Sequence, residues 1–380
     1  MLRLLLIVGV LGFWQQVASA QATQPEDDAA KVYMQAAKLL SANDKANIMS
    51  PSSSNLNYTD YPPYPAEWHR MEKKDFLANS EARALAHQAR SIEHADWPKW
   101  NPPHPPIYYL NDCRNISNEL ADAAIYQHLQ RNDAAAVESL RDDWHLADLL
   151  ENESDKLLVR LLVSEGIQAE IYTRLEIITS NIVLTNDPDN GNGLQTSVAR
   201  ELIGQLLTPQ DAKSEVNDVL RDESRMFHTS VYANPITKPS IDRVIETTNR
   251  VNVERYMVAM SLACHLYRFD AGKWPKSLDD LANYLPEIPI DPFGDGKQTL
   301  GYVLIKGGLP DGSDRPLVYS RGGMKDGLFF RTDEPAYSYY NGIGSNKSGN
   351  KQKQGGQFRD VASWAPEEGT HPAPTTRPLE

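Results

Sequence analysis

Nine histidines, two cysteines and 51 acidic side chains are the groups in this 380-residue chain whose chemistry could define a site. His69, His87, His94, His128, His145, His228 and His265 fall on stretches with helical periodicity, mostly without a partner at ligand spacing. His87 and His94 stand seven apart and can share a face, but two ligands without a third make a thin zinc site. His104 is set among prolines and reads as a solvated loop residue. The carboxylate pairs Asp142-Asp143 and Asp279-Asp280 read as solvated helix faces. Paired acids suit glycoside hydrolysis, but an acidic chain supplies many such pairs. Residues 185–193 (TNDPDNGNG) have the oxygen-rich character of a calcium loop. An EF-hand loop needs Gly at its sixth position and Glu at its twelfth. Counting from Asp187, those places hold Asn192 and Val198, so the stretch predicts a turn. The sequence has no His-Glu-x-x-His, no Cys-x-x-Cys, no Walker loop, no Gly-x-Ser-x-Gly and no dinucleotide fingerprint. It therefore assigns no catalytic residue and implies no cofactor.

The two cysteines, Cys113 and Cys264, leave two readings open. An oxidising compartment permits a bridge between them; alternatively each packs as a small hydrophobe. A net charge of −13 argues against nucleic acid as a partner, since such binding needs a basic face to release counterions. Residues 1–20 have the form of a secretory signal: Arg3, an apolar run over 4–14, then Ala18-Ser19-Ala20 as a small-x-small cleavage site. The expectation is cleavage after Ala20 and export to the periplasm or the medium. No later segment is apolar for the roughly eighteen residues of a membrane span, so none is expected in the mature chain.

Around these groups the periodicity is mostly helical. Residues 29–40 predict a helix with Val32, Tyr33, Ala36, Leu39 and Leu40 on one side. Residues 41–65, ending in Tyr61-Pro62-Pro63-Tyr64-Pro65, predict a long loop whose tyrosines anchor it to the helical body or form a sugar platform. A helix follows over 75–93, then a second loop with Trp97, Trp100 and the prolines of 102–106. Residues 116–150 predict a helical hairpin turning at Arg131-Asn132-Asp133, with Asp133 as N-cap. The hairpin resembles one unit of a tetratricopeptide-type repeat, but no second copy follows. Residues 155–184 predict a central helix, and 194–207 and 209–228 two more. Residues 233–239 read as a linker, and strands are expected at 302–305, 317–319 and 328–331. From 345 onward the composition predicts a disordered tail.

Residues 254–296 are the most informative stretch. Tyr256, Met260, Ala263 and Tyr267, with Ala259, Leu262, Leu266 and Phe269 beside them, predict a helix apolar over most of its circumference. Gly272 is placed to end it and Pro275 forbids its continuation. Ser277 is a candidate N-cap for a short helix carrying Leu278, Leu281 and Leu285. The run Gly272-Lys273-Trp274-Pro275, Leu278, Leu281, Leu285-Pro286, Pro289, Asp291-Pro292-Phe293-Gly294 resembles the C-terminal part of the G-type major pseudopilins of type II secretion. Val318-Tyr319-Ser320, Gly322 and Asp326-Gly327 are similar to that family's next block. The resemblance implies a helix, a short leucine helix and a small antiparallel sheet. It also implies a structural calcium site, for which Asp311, Asp314 and Asp326 fall in the corresponding region. The family's leader and long N-terminal apolar helix are missing, so pilin-type polymerisation is not expected. The whole layout also looks like a group of exported proteins of planctomycete-type bacteria that join a helical region to this kind of tail.

The expected fold is mainly α: a multi-helix bundle or αα-hairpin array over 21–232, then a helix and a small α+β subdomain over 240–335. Gly272, Trp274, Pro275, Asp291, Pro292 and Phe293 are expected to be structural, with Trp274 packed against Leu278 or Phe293 and Asp291 accepting backbone N–H bonds. The function expected is an exported, non-enzymatic scaffold or interaction protein. An extracytoplasmic hydrolase on a polymer such as a glycan, or a component of a secretion or envelope assembly with an envelope protein as partner, are the alternatives.

Overall fold

A computed structural model describes residues 27–40, 66–99, 108–152, 157–208, 212–227, 238–294, 296–307, 314–320 and 331–333. The predicted signal segment, the Tyr/Pro loop over 41–65, Trp100, the prolines of 102–106 and the tail from 345 lie outside these residues.

The fold is mainly helical with a small antiparallel sheet. The helices are α1 (Ala29–Leu39), α2 (Ala66–Ala78), α3 (Ser80–Ala89), α4 (Tyr108–Leu129), α5 (Asp133–Glu151), α6 (Leu158–Ser180), α7 (Thr196–Leu206), α8 (Ala212–Phe227) and α9 (Lys238–Ala271). A parallel pair of two-residue strands, β1 (Leu184–Thr185) and β2 (Leu194–Gln195), closes the loop between α6 and α7. Strands β3 (Gly301–Ile305), β4 (Arg315–Tyr319) and β5 (Arg331–Asp333) form an antiparallel sheet in chain order. Its register pairs Gly301 with Tyr319 and Val318 with Thr332.

The helices form where apolar residues recur on one face. On α1, Val32, Tyr33 and Ala36 are buried, and Asp28 caps the N-terminus by accepting the Ala30 N–H. Leu39, expected on that face, is 39% exposed. The helix predicted over 75–93 is two helices meeting at Asn79, a fully buried residue whose amide donates to Glu119 of α4 at 2.6 Å. Leu77, near the end of α2, faces outward at 64% exposure. In the α4–α5 hairpin the N-cap is Asn132, which accepts the Ala135 N–H at 3.1 Å; Asp133 is the first helical residue and has another use described below. Arg131 takes the left-handed conformation of the turn, at φ 64°.

The longest helix is α9, with 34 residues. It starts at Lys238, well before the apolar run that predicts it, so Lys238 and Pro239 are helical rather than linker; residues 233–237 lie outside the described set. Every residue from Met257 to Leu266 is buried. Helices α6 and α7 cover one side of α9, and β4, β5 and the turn after the helix cover another. Phe269 is past the covered stretch and 41% exposed. One apolar core runs from Ala29 of α1 to Val318 of β4, through both parts that the sequence suggests separating. No helix among the described residues is long and apolar enough to cross a membrane.

Candidate functional site

The first candidate is the knot after α9. Gly272 has φ +67° and its N–H reaches the Arg268 carbonyl at 2.8 Å, the left-handed helix ending that glycine allows without steric cost. The chain turns back and buries Trp274 to 6% exposure. On α9, His265 meets the Trp274 indole edge-on at 5.0 Å between centroids, and the Arg268 guanidinium lies 4.3 Å from its ring; Leu278 and Phe293 pack against the same apolar core. The Pro275 carbonyl accepts the Tyr302 hydroxyl at 2.6 Å, tying the turn to β3. A single 3₁₀ turn, Leu278–Leu281, stands where a short helix was expected. Asp280 lies at the surface, and its Oδ2 accepts the N–H groups of Lys276 and Ser277, at 2.7 and 3.3 Å, and so caps this turn.

Asp291 is 1% exposed. It accepts the Phe293 N–H at 3.0 Å and the Ser320 hydroxyl at 3.0 and 2.9 Å on its two oxygens, so it joins the turn to the end of β4. Pro292 and Phe293 are half-buried beside it. These contacts are architectural. In the region compared with the calcium loops, Asp314 pairs with Lys306 at 2.6 Å and accepts the Gly307 N–H, and the Lys306 bond holds its carboxyl below the usual range. Asp311 and Asp326 lie outside the described residues. Residues 187–193 form a plain turn in which Asp187 accepts the Asp189 N–H and Asn190 accepts those of Asn192 and Gly193.

The second candidate is a polar cluster where α1, α3 and α5 meet. His87 and His94 do not form a pair of ligands. His87 Nδ1 faces both oxygens of Asp142 at 3.1 and 3.2 Å, while His94 lends its backbone carbonyl to the Ala29 N–H. Arg90, one turn after His87, reaches Asp142 at 2.9 Å and Glu138 at 2.5 Å. Burial raises the Asp142 pKa, opposed by Arg90 and His87. Burial also raises that of Glu138, but Arg90 and Arg141 outweigh it and the net shift is downward. The Tyr33 hydroxyl donates to the Asp142 carbonyl at 2.9 Å and lies 3.0 Å from His145 Nδ1. The hydroxyl has one proton, so the sense of the second contact follows from the tautomer of His145. Asp143 faces the opposite way, fully buried, with Ser117 of α4 donating to its Oδ2 at 3.1 Å; burial raises its pKa far above the carboxylate range. The Asp142-Asp143 pair is therefore divided between two interfaces and is not a catalytic dyad. His87 has the orientation of a general base, with Nε2 turned from its carboxylate. It stands on an exposed helix face, its side chain 59% accessible, rather than in a cleft.

Elsewhere the same residue types tie helices together. Asp133 Oδ1 meets His128 Nδ1 at 2.6 Å and its Oδ2 accepts the Val183 N–H at 2.6 Å. Glu119 binds Arg83 at 2.5 Å, whose guanidinium lies 3.8 Å from the Phe76 ring centroid. Trp97 is 1% exposed, stacks on Tyr109 at 5.4 Å and donates to the Leu149 carbonyl. Arg160, also buried, donates to the Tyr109 hydroxyl at 2.5 Å. Glu151, Arg160 and Glu215 line a cavity of ≈ 60 Å³ between α5, α6 and α8, room for a water or two. Cys113 and Cys264 are both buried thiols that no disulfide joins, and burial pushes the Cys113 thiol up. Among the described residues no group of three or more His, Cys, Asp or Glu side chains could hold a metal.

Pairs such as His87–Asp142 and His128–Asp133 join residues 55 and five positions apart. The only trace of the first in the sequence is the position of Asp142 on the inner side of an otherwise amphipathic helix. Comparison of the chain with protein families, with curated proteins and with solved structures returns no match.

Proposed function

We propose that this protein is an exported, non-enzymatic scaffold or interaction protein whose helical body presents surface rather than a reaction centre. The observation that carries this reading is the use made of its acid–base groups. His87, His128, Arg83, Arg90, Arg160, Glu119, Asp133, Asp142 and Asp143 each hold one helix to another or a helix to a loop. A reaction centre leaves such groups converging on a space for substrate. Trp68 and Trp97, on either side of α3, are packed into the body rather than presented to a ligand. The helix, turn and small sheet after residue 254 are the succession that the pseudopilin resemblance implies, and they support an envelope protein as the partner. The fold is compatible with export, which rests on the signal-like residues 1–20.

Two measurements test this. Mass spectrometry of the native protein should find an N-terminus at Gln21; Met1 retained on the mature protein overturns export. The purified mature chain, incubated with peptidoglycan and polymeric glycans, should release no reducing ends above a heat-inactivated control. Release that disappears with His87→Ala or Asp142→Asn overturns the non-enzymatic reading.

A further inference from the structure

Glu165 of α6 is 4% exposed, and the side chain facing it from α9 is Thr248, itself 3% exposed. The Thr248 hydroxyl is in hydrogen-bond contact with Glu165 Oε1 and, at 3.1 Å, with the Val244 carbonyl. Both are acceptors if Glu165 is ionised, and one hydroxyl proton cannot serve both. A protonated Glu165 removes the conflict: its O–H donates to Thr248 Oγ1, and Thr248 donates to Val244. The second carboxyl oxygen, Oε2, is buried without a hydrogen-bond donor, which an ionised group tolerates poorly.

The position of this pair in the core gives it a consequence. The chain has a second, separate apolar cluster made by Leu158 and Leu161 of α6, Val216, Val219 and Leu220 of α8, and Ile241, Val244 and Ile245 of α9. The fully buried members of the main core begin at Ile167 on α6 and Val251 on α9, while the half-buried Val159 and Val163 reach that core from another face of α6. Thr248 lies between the two clusters on α9, and Glu165 faces it from α6, between Leu161 of the second cluster and Ile167 of the main core. We propose that Glu165 is a proton-dependent clasp: protonated, it fastens α8 and the first half of α9 to α6, and its ionisation lets that module open as a unit while the main core stays closed.

The groups around Glu165 support a proton rather than a cation as its partner. From α5 the nearest charge is Glu151, which carries the same sign and accepts the Gln168 amide at 2.8 Å. From α8, Glu223 accepts the Leu158 N–H at 2.7 Å. From α4, Asp122 lies near Arg174, two and a half turns further along α6. On α9, Arg250 pairs with Glu246 and acts on Glu254, and Arg255 donates to the Thr208 carbonyl. Burial, helped by Glu151 and opposed by Thr248, raises the Glu165 pKa from 4.5 to about 7.

Hydrogen exchange of the full mature chain tests the clasp. The closed form holds the proton more tightly than the open form, so opening becomes easier as pH rises from the open value toward the closed one. With those two values, opening should increase about thirtyfold between about pH 5.5 and about pH 8.5. Amides of 212–227 and 238–250 should lose that much protection after correction for intrinsic exchange, while 257–266 keep theirs. Glu165→Gln retains a donor and cannot ionise, and its protection should be flat over the same range. A flat wild type, or a dependence that survives in Glu165→Gln, overturns the proposal. Should the variant fail to fold, carboxyl-carbon NMR of the wild type decides: a Glu165 midpoint near 7 supports the clasp and one near 4.5 overturns it.

Discussion

Asp133 offers the sharpest test of the packing described above. It is 1% exposed, and its two oxygens have separate tasks: Oδ1 holds His128 across the α4–α5 turn, and Oδ2 holds the Val183 N–H where the chain leaves α6. Asp133→Ala strips a partner from a histidine side chain that is 7% accessible and from a half-buried backbone N–H. Leaving one buried polar group unsatisfied costs about 1–3 kcal/mol, and Asp133→Ala leaves two. The sum worked from these contacts is about 3–5 kcal/mol. Asp133→Asn should cost much less, about 1–2 kcal/mol. Its carbonyl can keep the Val183 N–H and its amide can donate to His128 Nδ1 once the ring changes tautomer. Urea unfolding followed by circular dichroism reads both numbers, as midpoint shifts at unchanged slope. A loss below about 1 kcal/mol for the alanine variant would show that neither contact stabilises the fold. Equal losses for the two variants would show that hydrogen-bond geometry does not explain the effect.

Trp274→Ala should cost about 3–5 kcal/mol, because it empties a buried site and removes the stack on Arg268. Limited proteolysis should then cut first within 254–331, and resistance equal to wild type would make Trp274 a binding candidate instead. Stability should also fall on the alkaline side. Asp143 and Glu165 have native pKa values raised by burial, so their contribution is fully present below the ordinary carboxylate range and is lost as pH rises through the native values. Glu138, with its pKa lowered, works in the other direction and gives up its share as pH falls. Chemical denaturation across the pH range should show a maximum on the acid side of neutrality; stability that climbs steadily through pH 8 would refute the assignment.

The helices were legible because periodicity is a local property: Val32, Tyr33 and Ala36, or Met257 to Leu266, announce their buried faces within a few residues. The sheet was legible for the same reason, to within two or three residues at each strand. What stayed hidden was pairing over distance. Nothing near Asp142 indicates His87, and nothing near Glu165 indicates Thr248, since both depend on how helices cross. Asp133 was misread as a cap because a cap is the commonest use of Asp at a helix start, and Asn132 beside it took that place. The extent of α9 was missed because its first half, from Lys238, is mostly polar and carries only the short stripe Ile241, Val244 and Ile245, which packs on α8 and α6.

That helix also sets an order of events during synthesis. Thr248 reaches back 83 residues to Glu165, and Arg255 reaches back 47 to Thr208. The inner faces of α6 and α7 therefore have no lid until residues up to 271 have been made. At ribosomal speeds of about 5–20 residues per second that interval lasts several seconds. During it the faces of α6 and α7 that α9 later covers stay exposed.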